Sequence, residues 1–270
     1  MAAWQADNER PRPLPVLQRS VFLLSVISFS HAYFSFTSEP LLTDVSFVCA
    51  GGERLCVVGP NGAGKTTLLK AALDLIPRLT GEVRYFGERL GSVRNRVGYM
   101  PQSVSVDWDF PATVADVVLM GTYGTLKWGR RPSRESKRAA AGALERVGMD
   151  GFERRQIGEL SGGQRQRVFL ARVLAQDPDL FLMDEPFAGI DVASQRRIMG
   201  VLDGLREQGR TVMLVHHDLS TLTRICDRVA LVNVELVAAG PIDRTLVPEN
   251  LRAAYGGSSM DWAGADGGRE

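Results

Sequence analysis

One eight-residue stretch constrains the fold of this chain more than any other. It is Gly59–Thr66, GPNGAGKT, and it follows the short apolar run Arg54–Val58. The pattern G-x-x-x-x-G-K-[ST] between a strand and a helix is typical of a phosphate-binding loop. Its glycines let backbone N–H groups point inward, and the helix N-terminus adds partial positive charge. We therefore expect a buried parallel strand, a phosphate loop and a helix beginning at Lys65.

The residues of this loop have separate expected roles on a bound nucleoside triphosphate. Lys65 can reach the β- and γ-phosphates, and the Thr66 hydroxyl can ligate the accompanying Mg²⁺. A glycine-rich turn with a chance lysine is the alternative, which the flanking strand and helix disfavour. The expected phosphate contacts are Gly59, Pro60, Asn61, Gly62, Ala63, Gly64, Lys65, Thr66 and, as a weaker candidate for the α-phosphate, Thr67.

A second apolar run, Leu180–Met183, ends in two carboxylates, Asp184 and Glu185. The carboxyl ends of strands in an α/β sheet line the ligand crevice, so Asp184 is expected to hold Mg²⁺ through a water molecule. Glu185 is expected beside the γ-phosphate, where it could orient and deprotonate an attacking water, a role worth about 10²–10⁴ in rate. Two solvated surface carboxylates are the alternative.

A second glycine-rich turn, Ser161–Gly163, precedes another helical pattern. Ser161 is a good N-cap, and the glycines expose backbone N–H groups, so this turn is also suited to an anion. A head-to-tail pair of chains would explain why one chain has two glycine-rich turns suited to phosphate. Ser161 and Gly163 of each chain would face the γ-phosphate held by Lys65 of the other chain. An ordinary capped helix is the alternative.

The remaining pattern predicts the α/β fold class. Apolar runs at Thr211–Val215 and Val229–Asn233 alternate with helical segments, which indicates a parallel sheet with helices on both faces. Near the N-terminus, Val21–Phe36 and Leu42–Val48 are rich in β-formers and partly alternating. We expect these two segments to form antiparallel strands that flank the core.

The 270 residues suit one large domain with an inserted lobe. Residues 1–19 are expected to be a flexible arm, and residues 20–250 the α/β domain. A block at about 103–160 contains RESKRAAAGALERVGM, whose alanines and long side chains favour an inserted helical lobe. Residues 251–270 are glycine-rich and expected to be disordered.

Composition argues against several classes of function. The formal net charge is +1, so nucleic acid is not expected as a partner. The longest early apolar run is too short to span a membrane. Cys49, Cys56 and Cys226 are widely separated without a CxxC pattern, which favours reduced thiols in a cytosolic protein.

Four motifs together resemble those of the ATP-binding subunits of ABC transporters. They are GPNGAGKT at Gly59–Thr66, LSGGQ at Leu160–Gln164, LFLMDEP at Leu180–Pro186 and HHD at His216–Asp218, and their order and spacing match across roughly residues 20 to 245. The resemblance implies a P-loop NTPase core with a mixed, mainly parallel sheet, an N-terminal antiparallel β subdomain and an inserted helical subdomain. It also implies ATP and Mg²⁺ as ligands, a dimer of two copies and a separate transmembrane permease.

The resemblance carries roles onto three further polar residues. Gln102, in YMPQ, is similar to the glutamine that senses Mg²⁺ and the attacking water, with a polar loop residue as the alternative. His217 is similar to the switch histidine that contacts the γ-phosphate, whereas His216 should face the core. Asp191, in AGID, resembles the aspartate that crosses the dimer interface. The family more often has SALD there, and a helix-capping aspartate is the alternative.

An aromatic ring that stacks on adenine is also implied by the resemblance. Phe36 lies six residues before Leu42, where such a ring is expected, and Tyr33 and Phe34 are nearby alternatives. Stacking needs only an accessible π-face, and each of these rings could instead belong to the core.

Two stretches, Val106–Gly124 and Val215–Leu219, resemble the manganese, zinc and iron uptake branch of the family. This resemblance implies an importer subunit that works at the cytoplasmic face of the membrane, with a divalent metal as cargo and an extracytoplasmic solute-binding protein as a further partner. An importer of another solute, a soluble ABC ATPase without a transport role and a regulatory module that does not turn over are the alternatives.

Overall fold

The computed structural model describes residues 25–35, 41–102, 111–126 and 131–256. Several expected features lie outside these residues: the arm at 1–19, Phe36, the first part of the inserted lobe and the end of the C-terminal tail. No helix within the described ranges is long and apolar enough to cross a membrane.

Nine strands of the described residues form one sheet with a parallel centre. They are β1 Ser25–Phe34, β2 Leu42–Ala50, β3 Arg54–Val58, β4 Arg78–Tyr85, β5 Val97–Met100, β6 Leu180–Asp184, β7 Thr211–Val215, β8 Arg228–Asn233 and β9 Glu235–Pro241. Their spatial order is β4-β1-β2-β9-β8-β3-β7-β6-β5. The five strands from β8 to β5 run parallel to one another. This architecture confirms the expected α/β fold.

The helices are α1 Lys65–Ala72, α2 Leu90–Val93, α3 Val114–Met120, α4 Arg134–Arg146, α5 Gly162–Gln176, α6 Val192–Glu207, α7 Leu222–Ile225, α8 Ile242–Thr245 and α9 Pro248–Tyr255. Helices α3, α4 and α5 pack against one another as a helical lobe. The lobe therefore includes a helix beyond residue 160, the end expected from the sequence.

Two apolar cores lie on the opposite faces of the sheet. Along β3, Leu55 and Val57 point into one core, whereas Cys56 and Val58 point into the other. Side chains alternate between faces in a strand, so burial of both faces produces the continuous apolar run seen in the sequence. The carboxyl ends of β3, β6 and β7 are thereby fixed side by side at one edge.

The N-terminal strands form the expected antiparallel unit, in which β1 pairs with both β2 and β4. A bulge interrupts the side-chain alternation of β1 near His31, whose φ is 44°. Past the bulge, Phe34 is fully buried in the core while Tyr33 is half-buried. The sequence-based alternative that Phe34 stacks on adenine is therefore wrong, since its ring has no accessible face.

A disulfide joins Cys56 in β3 to Cys226, which lies just before β8. The expectation that all three cysteines are reduced is corrected for this pair. The two residues are 170 positions apart in sequence, but β3 and β8 are neighbouring strands. Cys49 is a buried free thiol, and burial, as the main cause, raises its pKa to about 12.

The C-terminal segment is more ordered than the sequence suggested. Strand β9 pairs antiparallel with β8, and α9 continues across residue 250, the expected end of the domain. Ala254 is buried, at 1% exposure. The proposed disordered tail at 251–270 is thus wrong for its first residues, because α9 packs on the sheet through β8 and β9.

Candidate functional site

The phosphate-loop lysine is buried and held by the loop itself. Lys65 Nζ donates hydrogen bonds to the carbonyl oxygens of Gly59 at 2.9 Å and Pro60 at 2.7 Å. The side chain is 7% exposed. Burial, as the main cause, lowers the pKa of Lys65, an effect that Glu185 and Asp184 oppose. The ammonium is thus confined where the loop and two carboxylates meet.

A glycine makes the tight entry into α1 possible. Gly64 is the N-cap of α1 and has a φ of 91°, in the left-handed region that other residues avoid. It has no side chain to occupy the N–H groups of the first helical turn. These N–H groups and the positive end of the helix can therefore receive an anion, as the loop motif predicts.

Thr66 and Asp184 meet at the end of β6. Thr66 Oγ1 donates a hydrogen bond to Asp184 Oδ1 at 3.0 Å, and Asp184 is 1% exposed. Burial, as the main cause, raises the pKa of Asp184, while the Thr66 hydrogen bond and two nearby lysines lower it. A buried carboxylate of this kind gains from a cation, because its own solvation has been lost.

Gln102 and Glu185 form a second polar pair beside the first. Gln102 Nε2 donates to Glu185 Oε2 at 3.0 Å. Each residue follows the end of one strand of a parallel pair, since Met100 of β5 is opposite Met183 of β6. Glu185 is half-buried and has a φ of 49°, a left-handed backbone that is uncommon outside glycine. The sheet therefore brings the two predicted catalytic side chains together.

The two adjacent histidines face opposite environments. His216 is 5% exposed, and its Nε2 lies 2.7 Å from Thr221 Oγ1. Burial, as the main cause, lowers the pKa of His216 to about 4. His217 is exposed, two residues after Val215, the β7 residue that pairs with Asp184. This placement agrees with the expected core position for His216 and leaves His217 at the same edge as the carboxylates.

The second glycine-rich turn caps α5. Ser161 Oγ accepts a hydrogen bond from the Gln164 backbone N–H at 3.3 Å, and Gln164 Oε1 accepts one from the Ser161 N–H at 2.9 Å. This is a capping box. Ser161 therefore does cap a helix, as in the alternative interpretation, but the cap uses only a lone pair of its hydroxyl oxygen. The hydroxyl hydrogen can still be donated to another group.

Gly163 lies against the start of α6. A side chain at this position would meet Ser194 Oγ at 2.5 Å and Asp191 Oδ2 at 2.8 Å. Asp191 is exposed and caps α6, because its carboxylate accepts from the Ser194 N–H at 2.9 Å and the Ser194 hydroxyl at 2.8 Å. Three predicted residues, Ser161, Gly163 and Asp191, thus form a second cluster at the start of two helices.

Phe36, the ring expected to stack on adenine, lies outside the described residues. The sequence reasoning also missed Gln166, a buried residue of α5 that contacts Glu185. Its signal was present in the helical spacing, because Gly163, Gln166 and Leu170 share the buried face of α5.

The oxygen-rich donor set fits Mg²⁺. Thr66 offers a hydroxyl oxygen, Asp184 a buried carboxylate and Gln102 an amide oxygen, and hard oxygen ligands are those that Mg²⁺ prefers. Across the described ranges, no group of three or more histidine, cysteine, aspartate or glutamate side chains could hold a metal ion. One carboxylate with ligand phosphates is the usual way in which proteins bind Mg²⁺.

Comparison with protein families matches residues 42–188 to the family model described as ABC transporter. The matched segment contains the phosphate loop, the Ser161 turn and both carboxylates.

Curated relatives extend the similarity over most of the chain. The chain is 50% identical over 223 residues to the zinc transport system ATP-binding protein TroB of Treponema pallidum, which covers 83% of this chain and 84% of that protein. It is 46% identical over 223 residues to the manganese transport system ATP-binding protein MntB of Bacillus subtilis, covering 83% and 89% of the two chains.

Solved structures are similar at the level of the fold. A metal-chelate type ABC transporter in an inward-facing conformation matches with a TM-score of 0.75 and 28% identity, over 85% of this chain and 88% of that one. A bacterial ABC transporter cassette solved as a dimer matches with a TM-score of 0.70 and 25% identity, over 80% and 98% of the two chains.

Proposed function

Because the chain belongs to the ABC transporter family and is an ATPase of that family, we propose that it powers a separate membrane permease that imports a divalent metal such as manganese, zinc or iron. The observation that carries the proposal is the geometry at one sheet edge. There the Lys65 loop lies with the Thr66–Asp184 and Gln102–Glu185 pairs.

The metal cargo is supported by the names of the relatives. Proteins of 50% and 46% identity are a zinc and a manganese transport system ATP-binding protein, respectively. Both similarities extend over 83% of this chain. The cargo itself would be bound by the transporter partners, and this chain would supply the work of ATP hydrolysis.

In the proposed ATP complex the loop holds the phosphates. Lys65 exchanges its bonds to the Gly59 and Pro60 carbonyls for the β- and γ-phosphates, which its buried ammonium stabilises electrostatically. Thr66, Asp184 and Gln102 would hold Mg²⁺, which supplies charge neutralisation on the phosphate oxygens.

Glu185 is the proposed general base. Its carboxylate accepts a proton from the attacking water, and the Gln102 amide fixes the direction of that carboxylate through the 3.0 Å hydrogen bond. Exposed His217, at the same edge, would contact the γ-phosphate.

Two copies would form a head-to-tail dimer around two ATP molecules. The exposed Ser161 hydroxyl and the N–H groups at the start of α5 would donate to the γ-phosphate bound by Lys65 of the other copy. Asp191 would lie at the same interface. A cassette of similar fold has been solved as a dimer. Because ATP joins both copies, its binding would close the dimer and its hydrolysis would release it.

Closure of the dimer would move the helical lobe formed by α3, α4 and α5, and this motion would pass to the permease. The protein would lie peripherally at the cytoplasmic face of the membrane. An extracytoplasmic solute-binding protein would deliver the cargo to the assembled importer.

Uptake in a deletion strain tests this function. We expect deletion of the gene to reduce uptake of radiolabelled Mn²⁺ or Zn²⁺, the wild-type chain to restore it and the Glu185→Gln variant to fail. Normal uptake of these metals and of Fe²⁺ in the deletion strain would overturn the metal assignment. A chain that never co-sediments with membranes would instead favour a soluble ABC ATPase.

A further inference from the structure

Gln166 is a buried polar residue that the proposed reaction has not used. It lies in the second turn of α5 and is 1% exposed. A buried amide is destabilising unless it is hydrogen-bonded. Gln166 Nε2 donates to the backbone carbonyl oxygen of Glu185 at 3.2 Å. The amide thus reaches from α5 to the main chain of the proposed general base.

The main chain at Glu185 has an unusual conformation that needs support. Its φ of 49° is in the left-handed region, which is sparsely populated by residues with a side chain. The Glu185 carbonyl oxygen also accepts from the Ala188 N–H at 3.1 Å. Two donors on one oxygen fix the peptide plane, and the orientation of this residue decides where the Glu185 carboxylate points.

The same face of α5 contacts the other end of the loop that follows β6. Gly163, one turn before Gln166, lies against Asp191 and Ser194, and Gly162 is close to Gly189. The first two turns of α5 therefore touch the loop at its beginning and at its end. A shift of this helix would move the backbone of Glu185 directly.

From these contacts we propose that Gln166 is a positioning residue, which holds the Glu185 backbone in the left-handed conformation that aims its carboxylate at Gln102 and the attacking water. The inference rests on the assignment of Glu185 under the proposed function. It adds a link within one chain, since α5, the helix that Ser161 caps, also holds the backbone of the proposed general base.

A purely structural role for Gln166 makes a different prediction. If the residue only fills space, an apolar side chain of similar shape should preserve activity. If it positions Glu185, turnover should fall while ATP affinity and folding stay unchanged, because the phosphate loop does not contact Gln166 through any of its described hydrogen bonds.

The test compares two substitutions in the purified full-length chain with MgATP. Gln166→Met keeps the length of the side chain without a donor, and Gln166→Asn keeps the amide but shortens its reach. A matched control is Gln176→Met on the same helix, because Gln176 Nε2 donates to the Val97 carbonyl at 2.9 Å, away from Glu185. We expect kcat to fall about 10- to 100-fold in both Gln166 variants and to stay within about twofold in the control.

The affinity of the Gln166 variants for ATP should stay within about twofold of wild type. In a Glu185→Gln background, Gln166→Met should cause no further loss of the ATP hydrolysis rate, measured in single turnovers with radiolabelled ATP. A wild-type kcat in both folded Gln166 variants, or an undiminished loss in the Glu185→Gln background, would overturn the positioning role. A wild-type chain without ATPase activity would instead count against the proposed function.

Discussion

The phosphate-loop cluster (Lys65, Thr66 and Asp184) and the signature cluster (Ser161, Gly163 and Asp191) differ in how complete each site is within one chain. In the first, Lys65 and Asp184 are buried, Thr66 is half-buried, and all three are bonded to their surroundings. In the second, Ser161 and Asp191 are exposed, and their described bonds only cap helices. Under the proposed function, the first cluster holds a nucleotide within one chain, whereas the second contacts a ligand only when a second copy brings one. Substitutions in the phosphate-loop cluster should therefore reduce ATP binding or hydrolysis, whereas substitutions in the signature cluster should reduce dimerisation.

The largest expected effect is on the rate of ATP hydrolysis beside the phosphate-loop cluster. Glu185→Gln should lower kcat about 10²- to 10⁴-fold because the proposed general base is lost. ATP binding should persist, and the ATP-loaded dimer should become stable enough to elute as such in size-exclusion chromatography with MgATP. Glu207→Gln, at the exposed end of α6, is the control. A Glu185→Gln variant that binds MgATP and elutes only as a monomer would contradict the claim that ATP joins two copies.

Loss of the buried lysine should damage binding itself. Lys65→Ala removes a charged donor to the phosphates, so the Kd for ATP should rise about 10²-fold. Isothermal titration calorimetry measures this change, with the exposed Lys137→Ala of α4 as the control. Unchanged ATP affinity in Lys65→Ala would remove the central role of the first cluster.

The histidine pair repeats the contrast between buried and exposed groups. The pKa of His216 is about 6.5 in the unfolded chain, and burial lowers it to about 4 in the folded chain. The stability that this residue contributes is therefore present above pH 6.5 and is lost as the pH falls towards 4, by about 3 kcal/mol. Urea unfolding across this range should show a smaller pH slope for His216→Gln than for wild type. An unchanged slope in His216→Gln would contradict the burial effect.

The smallest expected effect is on the free energy of unfolding after a substitution in the signature cluster. Ser161→Ala should lower the free energy of unfolding by about 1 kcal/mol, because a helix cap is lost. Ser133→Ala is a matched control, since Ser133 caps α4 in the same way. Only Ser161→Ala should weaken dimerisation with MgATP, measured by analytical ultracentrifugation in the Glu185→Gln background. Equal dimerisation of the two variants would assign Ser161 a capping role alone.

Short apolar runs were the most predictable part of the fold. Strands β3 and β7 have the bounds expected from the sequence, because a charged residue precedes each apolar run. The polar pairs at the sheet edge followed from the motifs, since parallel strands end together.

Features that depend on distant contacts could not be predicted. Cys56 and Cys226 meet only because β3 and β8 are neighbours. Phe34 is buried because of a bulge at His31, which a regular alternation does not reveal. Gln166 lies in the polar run QRQR, where only the helical spacing distinguishes a buried glutamine from exposed neighbours.

Cross-linking between copies tests most directly the claim that one copy completes the site of another. Asn61 and Gly162 are exposed, and a side chain at Gly162 would have only an ordinary contact of 3.6 Å with Gly189. Asn61→Cys and Gly162→Cys would be made in separate Glu185→Gln chains, mixed and mildly oxidised. We predict a disulfide-linked dimer of one chain of each kind that requires MgATP. The absence of this dimer in a mixture that has bound MgATP would contradict the account.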